Sequence, residues 1–91
     1  MANYKVVIKR SAAKELEDIP GKKDRERIVR RIEALASNPR PSGVEKLSGV
    51  GEKYRIRQGN FRVVYEIQDD VLLVTVIRIA DRKNVYRRRG N

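Results

Sequence analysis

Arginine and tyrosine are the side chains best placed to do chemistry in this chain. In KYRIRQ, Arg55 and Arg57 alternate with Tyr54 and Ile56. Gly59-Asn60 follows, and then FRVVYEIQ places Arg62, Val64 and Glu66 between Phe61, Val63, Tyr65 and Ile67. The period of two marks strands with one buried face, and Gly-Asn is a dipeptide that closes a two-residue hairpin. Pairing Gln58 with Phe61 sets Arg57 against Arg62, Arg55 against Val64, Ile56 against Val63 and Tyr54 against Tyr65. Directly opposed like charges destabilise a sheet, so this face calls for open water or a bound anion.

A guanidinium grips phosphate through paired hydrogen bonds and stays charged in essentially all settings. Several around one phosphodiester would stabilise the charge that builds as a nucleophile attacks phosphorus. In RNA that nucleophile can be the neighbouring 2′-hydroxyl, so neither a metal nor an external water is required. Tyr86 in the tail ADRKNVYRRRGN could move a proton if nearby positive charge lowers its pKa from about 10. The chain has no histidine and no cysteine, which removes the usual neutral-pH acid–base residue and any thiolate site. Its carboxylates are scattered, and Asp69-Asp70, the one adjacent pair, reads as a turn. No metal and no cofactor is expected.

The elements that must carry these residues follow from the rest of the chain. Its 91 residues suffice for one domain, 1–91, and its apolar fraction of 40% allows a thin core. Asn3 to Lys9 reads as a strand. Ser11 is a candidate N-cap for a short helix from Ala12 to Ile19, and Pro20-Gly21 ends it. A second helix over Lys22 to Ser37 turns Ile28, Ile32, Leu35 and Ala36 to one side. A glycine-containing loop runs to Lys53. After the hairpin and the Asp69-Asp70 turn, Val71 to Ile79 forms a last strand, apolar on both parities and therefore expected to be covered on both faces. The order β-α-α-β-β-β predicts an α+β fold, with a helical pair on one face of a mostly antiparallel sheet. Arg55, Arg57 and Arg62 then belong on the uncovered face.

A net charge of +10, from 22 Lys and Arg against 12 Asp and Glu, favours a polyanionic partner, nucleic acid first. Lys23, Arg27 and Arg30 cluster on one side of the second helix and read as a solvated face, and Tyr54 and Tyr65 read as packing residues. No apolar run approaches the roughly 20 residues a bilayer span needs. The N-terminus lacks the basic-then-apolar order of a secretory signal. A cytoplasmic location is expected.

KLSGVGEKYRIRQGNFRVVYEI, followed by VIRIADRKNVY, resembles the RelE branch of the RelE/ParE toxins of toxin–antitoxin pairs. The resemblance covers nearly the whole chain. It implies a ribonuclease that enters the ribosomal A site, against 16S rRNA, and cuts mRNA by 2′-hydroxyl attack. It also implies a cognate acidic antitoxin that wraps and silences the toxin. Its basic positions match Arg55 and Arg57, its hairpin arginine Arg62, its late-strand arginine Arg82 and its C-terminal tyrosine Tyr86. Well-known active members carry lysine at the first two positions. Arginine keeps the charge there but supplies no general base, so the resemblance shifts that role to Tyr86, with Arg82 beside the leaving oxygen. Lys46, Lys53, Lys83 and Arg87 are candidates for contacts with RNA phosphates. Two alternatives remain, a non-catalytic gyrase inhibitor of the ParE kind and a plain RNA-binding module.

Overall fold

The computed structural model describes residues 3–47 and 51–81. Its elements run β1 (Lys5–Ile8), α1 (Arg10–Glu17), α2 (Lys22–Ala34), β2 (Glu45–Lys46), β3 (Lys53–Gln58), β4 (Phe61–Gln68), a 3-10 turn (Asp69–Val71) and β5 (Leu73–Asp81). The five strands form one sheet in the order β1-β5-β4-β3-β2. All pairings are antiparallel except β1 with β5. The expected α+β arrangement is present, with β2 added at the far edge. A strand of two residues leaves no periodic pattern to read.

The hairpin register is the one the alternation dictates. Tyr54 pairs with Tyr65, Arg55 with Val64, Ile56 with Val63, Arg57 with Arg62 and Gln58 with Phe61. Gly59 supplies the positive φ of +62°, while Asn60 stays on the negative side. Glycine at the first central position is what a type II′ turn demands.

One sheet face packs on both helices. Tyr54, Ile56, Phe61, Val63, Tyr65, Ile67, Val74, Val76 and Ile79 are buried with Ala12, Ile19, Ile28, Ile32 and Leu35 from the helical layer. The rings of Tyr54 and Tyr65 stack at 6.0 Å, and the Tyr65 hydroxyl donates to the Pro39 carbonyl at 2.7 Å. Burial pushes the Tyr65 hydroxyl up to about 12, so it remains a neutral donor.

Two expectations are corrected. Ser11 does not cap α1: the helix starts at Arg10, after Lys9 in extended conformation, with no side-chain cap. In β5 the buried parity changes because the strand contains a bulge, rather than because helices cover both of its faces. Val64 pairs with Arg78 and Tyr65 with Val76, leaving Ile77 as the extra residue. Val74 and Val76 are buried before it and Ile79 after it. An inserted residue exchanges the two faces of everything beyond it.

A polar clamp ties the loop after α2 to the sheet. Arg40 forks onto Asp69, with Nη2 to Oδ2 at 2.8 Å and Nη1 to Oδ1 at 3.2 Å. Its guanidinium carbon lies 5.2 Å from the Tyr54 ring centre. The Tyr4 hydroxyl donates to Asp69, and the Tyr54 hydroxyl donates to Glu52 at 2.8 Å. Arg40, then Tyr4, hold the Asp69 carboxyl below its usual range. Tyr54, then Lys46, do the same for Glu52. An unfolded chain therefore binds more protons than the folded one near pH 4. The contribution of these groups is complete above that region and is lost as pH falls through the depressed folded values. We expect the urea midpoint to drop on acidification below about pH 4, and Asp69→Asn to flatten that drop while lowering the midpoint at pH 7.

Candidate active site

The sheet face turned away from the helices carries the arginines. Arg55 and Arg57 reach it from β3 and Arg62 from β4, because their parity is opposite to that of Tyr54, Ile56 and Val63. Arg57 and Arg62 are direct cross-strand neighbours. Neither has a hydrogen-bond or ion-pair partner among the described residues. A hollow of about 30 Å³ at the hairpin tip is lined by Arg57, Gly59, Asn60, Phe61 and Arg62. That is room for one or two waters or a comparable polar group.

Arg55 is in a different state. Glu45 on β2 sits directly across from it, and Glu45 Oε1 accepts from Arg55 Nε at 3.0 Å and Nη2 at 2.7 Å. The Arg55 hydrogen bonds hold the Glu45 carboxyl below its usual range, and the more distant charges of Arg57 and Arg62 add to the effect. Glu45 has no signature in the sequence, because a strand of two residues leaves no alternation. Its carboxylate already occupies the position a phosphate oxygen would take on Arg55. Before Arg55 can bind a phosphate, it must release Glu45 or share itself with it. Glu45→Gln removes that competition. We expect tighter RNA binding, by roughly the several-fold effect of one charge near the surface, read as a shift in a fluorescence-anisotropy titration at fixed salt.

The lysines divide. Lys53 shares the parity of Arg55 and Arg57 and lies opposite Glu66, so it belongs to the same face. Lys46 does not. It pairs with Tyr54, whose side chain enters the helix-side core, and its ammonium lies 3.3 Å from Glu52. The structure thus separates Lys46 from the arginine face. Arg82, Lys83, Tyr86 and Arg87 lie outside the described residues.

One cation on this face escaped the sequence reading. Arg78 on β5 pairs with Val64, which pairs on its other side with Arg55. A regular strand would have sent Arg78 into the core with Val74 and Val76. The bulge turns it outward, and its side chain is 63% exposed.

Known proteins place this architecture. The family model described as ParE toxin of type II toxin–antitoxin system, parDE, matches residues 6–86. Toxin RelE of Mycobacterium tuberculosis is 32% identical over 84 residues, covering 92% of this chain and 87% of that protein. Toxin RelE3 of Methanocaldococcus jannaschii is 31% identical over 86 residues, covering 90% and 94%. Among solved structures, the archaeal RelE–RelB complex of Pyrococcus horikoshii superposes with a TM-score of 0.79 at 28% identity, covering 88% of this chain and 96% of that one. The Escherichia coli RelBE toxin–antitoxin complex gives 0.73 at 26%, with coverage of 88% and 96%. With the family model spanning nearly all of its elements, the chain belongs to the RelE/ParE superfamily of type II toxins and is of the RelE type.

Proposed function

We propose that this protein is a ribosome-dependent endoribonuclease that cuts mRNA by attack of the 2′-hydroxyl on the adjacent phosphodiester, without a metal ion. The observation that carries this reading is the Arg57–Arg62 pair. Two arginines stand directly across from one another on an open face, neither with a hydrogen-bond or ion-pair partner among the described residues. Like charges in register cost the sheet stability, and an extra-charged phosphorane is the kind of group that offsets the cost. RNA laid across the face would meet Arg57 and Arg62 at the scissile phosphate, with Arg55 and Lys53 on the same sheet surface.

Proton transfer is assigned to Tyr86 and leaving-group stabilisation to Arg82. Arg55 and Arg57, as arginines, supply charge and alignment only. A site with such weak acid–base equipment depends on a substrate already held in line, a condition that mRNA fixed in the decoding site satisfies. Two of its RelE relatives have been solved in complex with a RelB antitoxin. The partner proposed here is likewise a cognate antitoxin, rich in Asp and Glu to match the +10 charge. The place of action is the cytoplasm, where mRNA and ribosomes are. Among the described residues no helix is long and apolar enough to cross a membrane.

The test is direct. Added to a translating extract, the protein should leave new mRNA 5′ ends at defined codon positions, mapped by primer extension. A second reading, a non-catalytic gyrase inhibitor, is favoured by the match to the ParE family model and by the engagement of Arg55 with Glu45. Intact mRNA together with blocked DNA supercoiling would establish that reading instead.

A further inference from the structure

We propose that Arg78 is an RNA-contacting residue of the arginine face, holding the phosphate next to the one addressed by Arg57 and Arg62. The inference rests on the ribonuclease reading above and extends the site from two strands to three.

The bulge carries the argument. Bulges concentrate next to functional sites, where they re-aim a side chain. Here the insertion of Ile77 gives Arg78 to the open face and returns Ile79 to the core. Two rows result across β3, β4 and β5. One runs Arg55, Val64, Arg78, and its neighbour runs Arg57, Arg62, Ala80. The short side chains of Val64 and Ala80 leave a low path bordered by long cations. With strands about 4.8 Å apart, the Arg55 and Arg78 backbones are about 10 Å apart. Their flexible side chains can therefore close over a nucleotide backbone from both sides. Arg55 is engaged by Glu45 at 2.7 Å, which leaves Arg78 the less encumbered of the two.

A structural role competes with this one. Arg78 Nε lies 3.9 Å from Glu15 Oε2 on α1, and Glu15 Oε1 already accepts the Ile79 backbone N–H at 2.7 Å. Glu15 reaches both because β1 ends at Ile8 and leaves that stretch of the β5 edge to α1. A contact of 3.9 Å is longer than a hydrogen bond, and although the Glu15 side chain is only 18% exposed, that of Arg78 is 63% exposed. This contact leaves the guanidinium able to turn toward a phosphate.

The experiment titrates a single-stranded RNA oligonucleotide, 2′-deoxy at the scissile position so that it survives, across a salt series. Wild type, Arg78→Ala and Arg78→Lys are compared. Each phosphate neutralised on single-stranded RNA contributes about 0.7 to the slope of log K against log salt. Arg78→Ala should lower the slope by about that amount and raise the protein concentration needed for half-maximal mRNA cutting in the extract. Arg78→Lys should retain the slope. An unchanged slope with a lowered urea midpoint would reduce Arg78 to a strut for α1 and overturn the proposal, as would a wild-type chain that binds no RNA. Failure of the parent reading looks different: the slope falls with Arg78→Ala, yet no chain cuts mRNA.

Discussion

Under the proposed ribonuclease mechanism, Arg62→Ala will cut the rate of mRNA cleavage in a translating extract by about 10²–10³-fold, the usual effect of deleting one preorganised donor to a charge that develops in the transition state. The same change should leave the fold intact, because Arg62 projects from the face opposite the core. Stability should even rise, by about 0.2–1 kcal/mol, since Arg57 loses the like charge directly across from it. The two effects have opposite signs, and that makes the prediction sharp. Primer extension measures the first and a urea titration the second. Undiminished cutting by Arg62→Ala would remove the phosphate-gripping pair from the mechanism. A lost fold would show that Arg62 packs rather than reacts.

Tyr65→Ala will destabilise the domain by about 3–5 kcal/mol, the range for truncating a buried aromatic. Tyr65 is fully buried, stacks on Tyr54 and holds the Pro39 carbonyl. Domains of this length have roughly 5–14 kcal/mol in total. The melting temperature should therefore fall by more than about 12 °C. Tyr65→Phe isolates the hydroxyl. It keeps the ring stack but leaves the Pro39 carbonyl unpaired, at a cost of about 1–3 kcal/mol. A Phe variant as stable as wild type would mean that another donor reaches that carbonyl. The consequence is local, because Tyr54 and Tyr65 belong to the same two strands as Arg55 and Arg62 and anchor the opposite face of that hairpin in the core.

The hairpin was readable residue by residue because two independent signals agreed there. Strict alternation fixed the faces, and Gly59-Asn60 fixed the register to a single residue. β5 offered only one signal. Its apolar residues occupy both parities, and such a run looks the same whether helices cover both faces or a bulge swaps them. That ambiguity hid Arg78. Glu45 was hidden for another reason. A strand of two residues, Glu45–Lys46, is made by its partner β3 rather than by its own pattern. The charge of Lys46 alone points to RNA, while its register with Tyr54 sends it to the other side. Composition and periodicity can place a residue on a face only where pairing is also determined. The face as a whole was legible, and its borders depended on long-range pairing.

The parallel pairing of β1 with β5 has a consequence for how the chain is made. β5 is the last of the described strands to be synthesised, yet it lies between β4 and β1 and supplies buried Val74, Val76 and Ile79. Among the described residues, the first strand therefore has no strand partner until β5 has left the exit tunnel. Contacts so distant in sequence slow folding, and translation delivers residues at only about 5–20 per second. A chain without β5 lacks Arg78 and the buried Val74, Val76 and Ile79 that back the sheet, so the arginine face is completed only once β5 has paired with both β4 and β1.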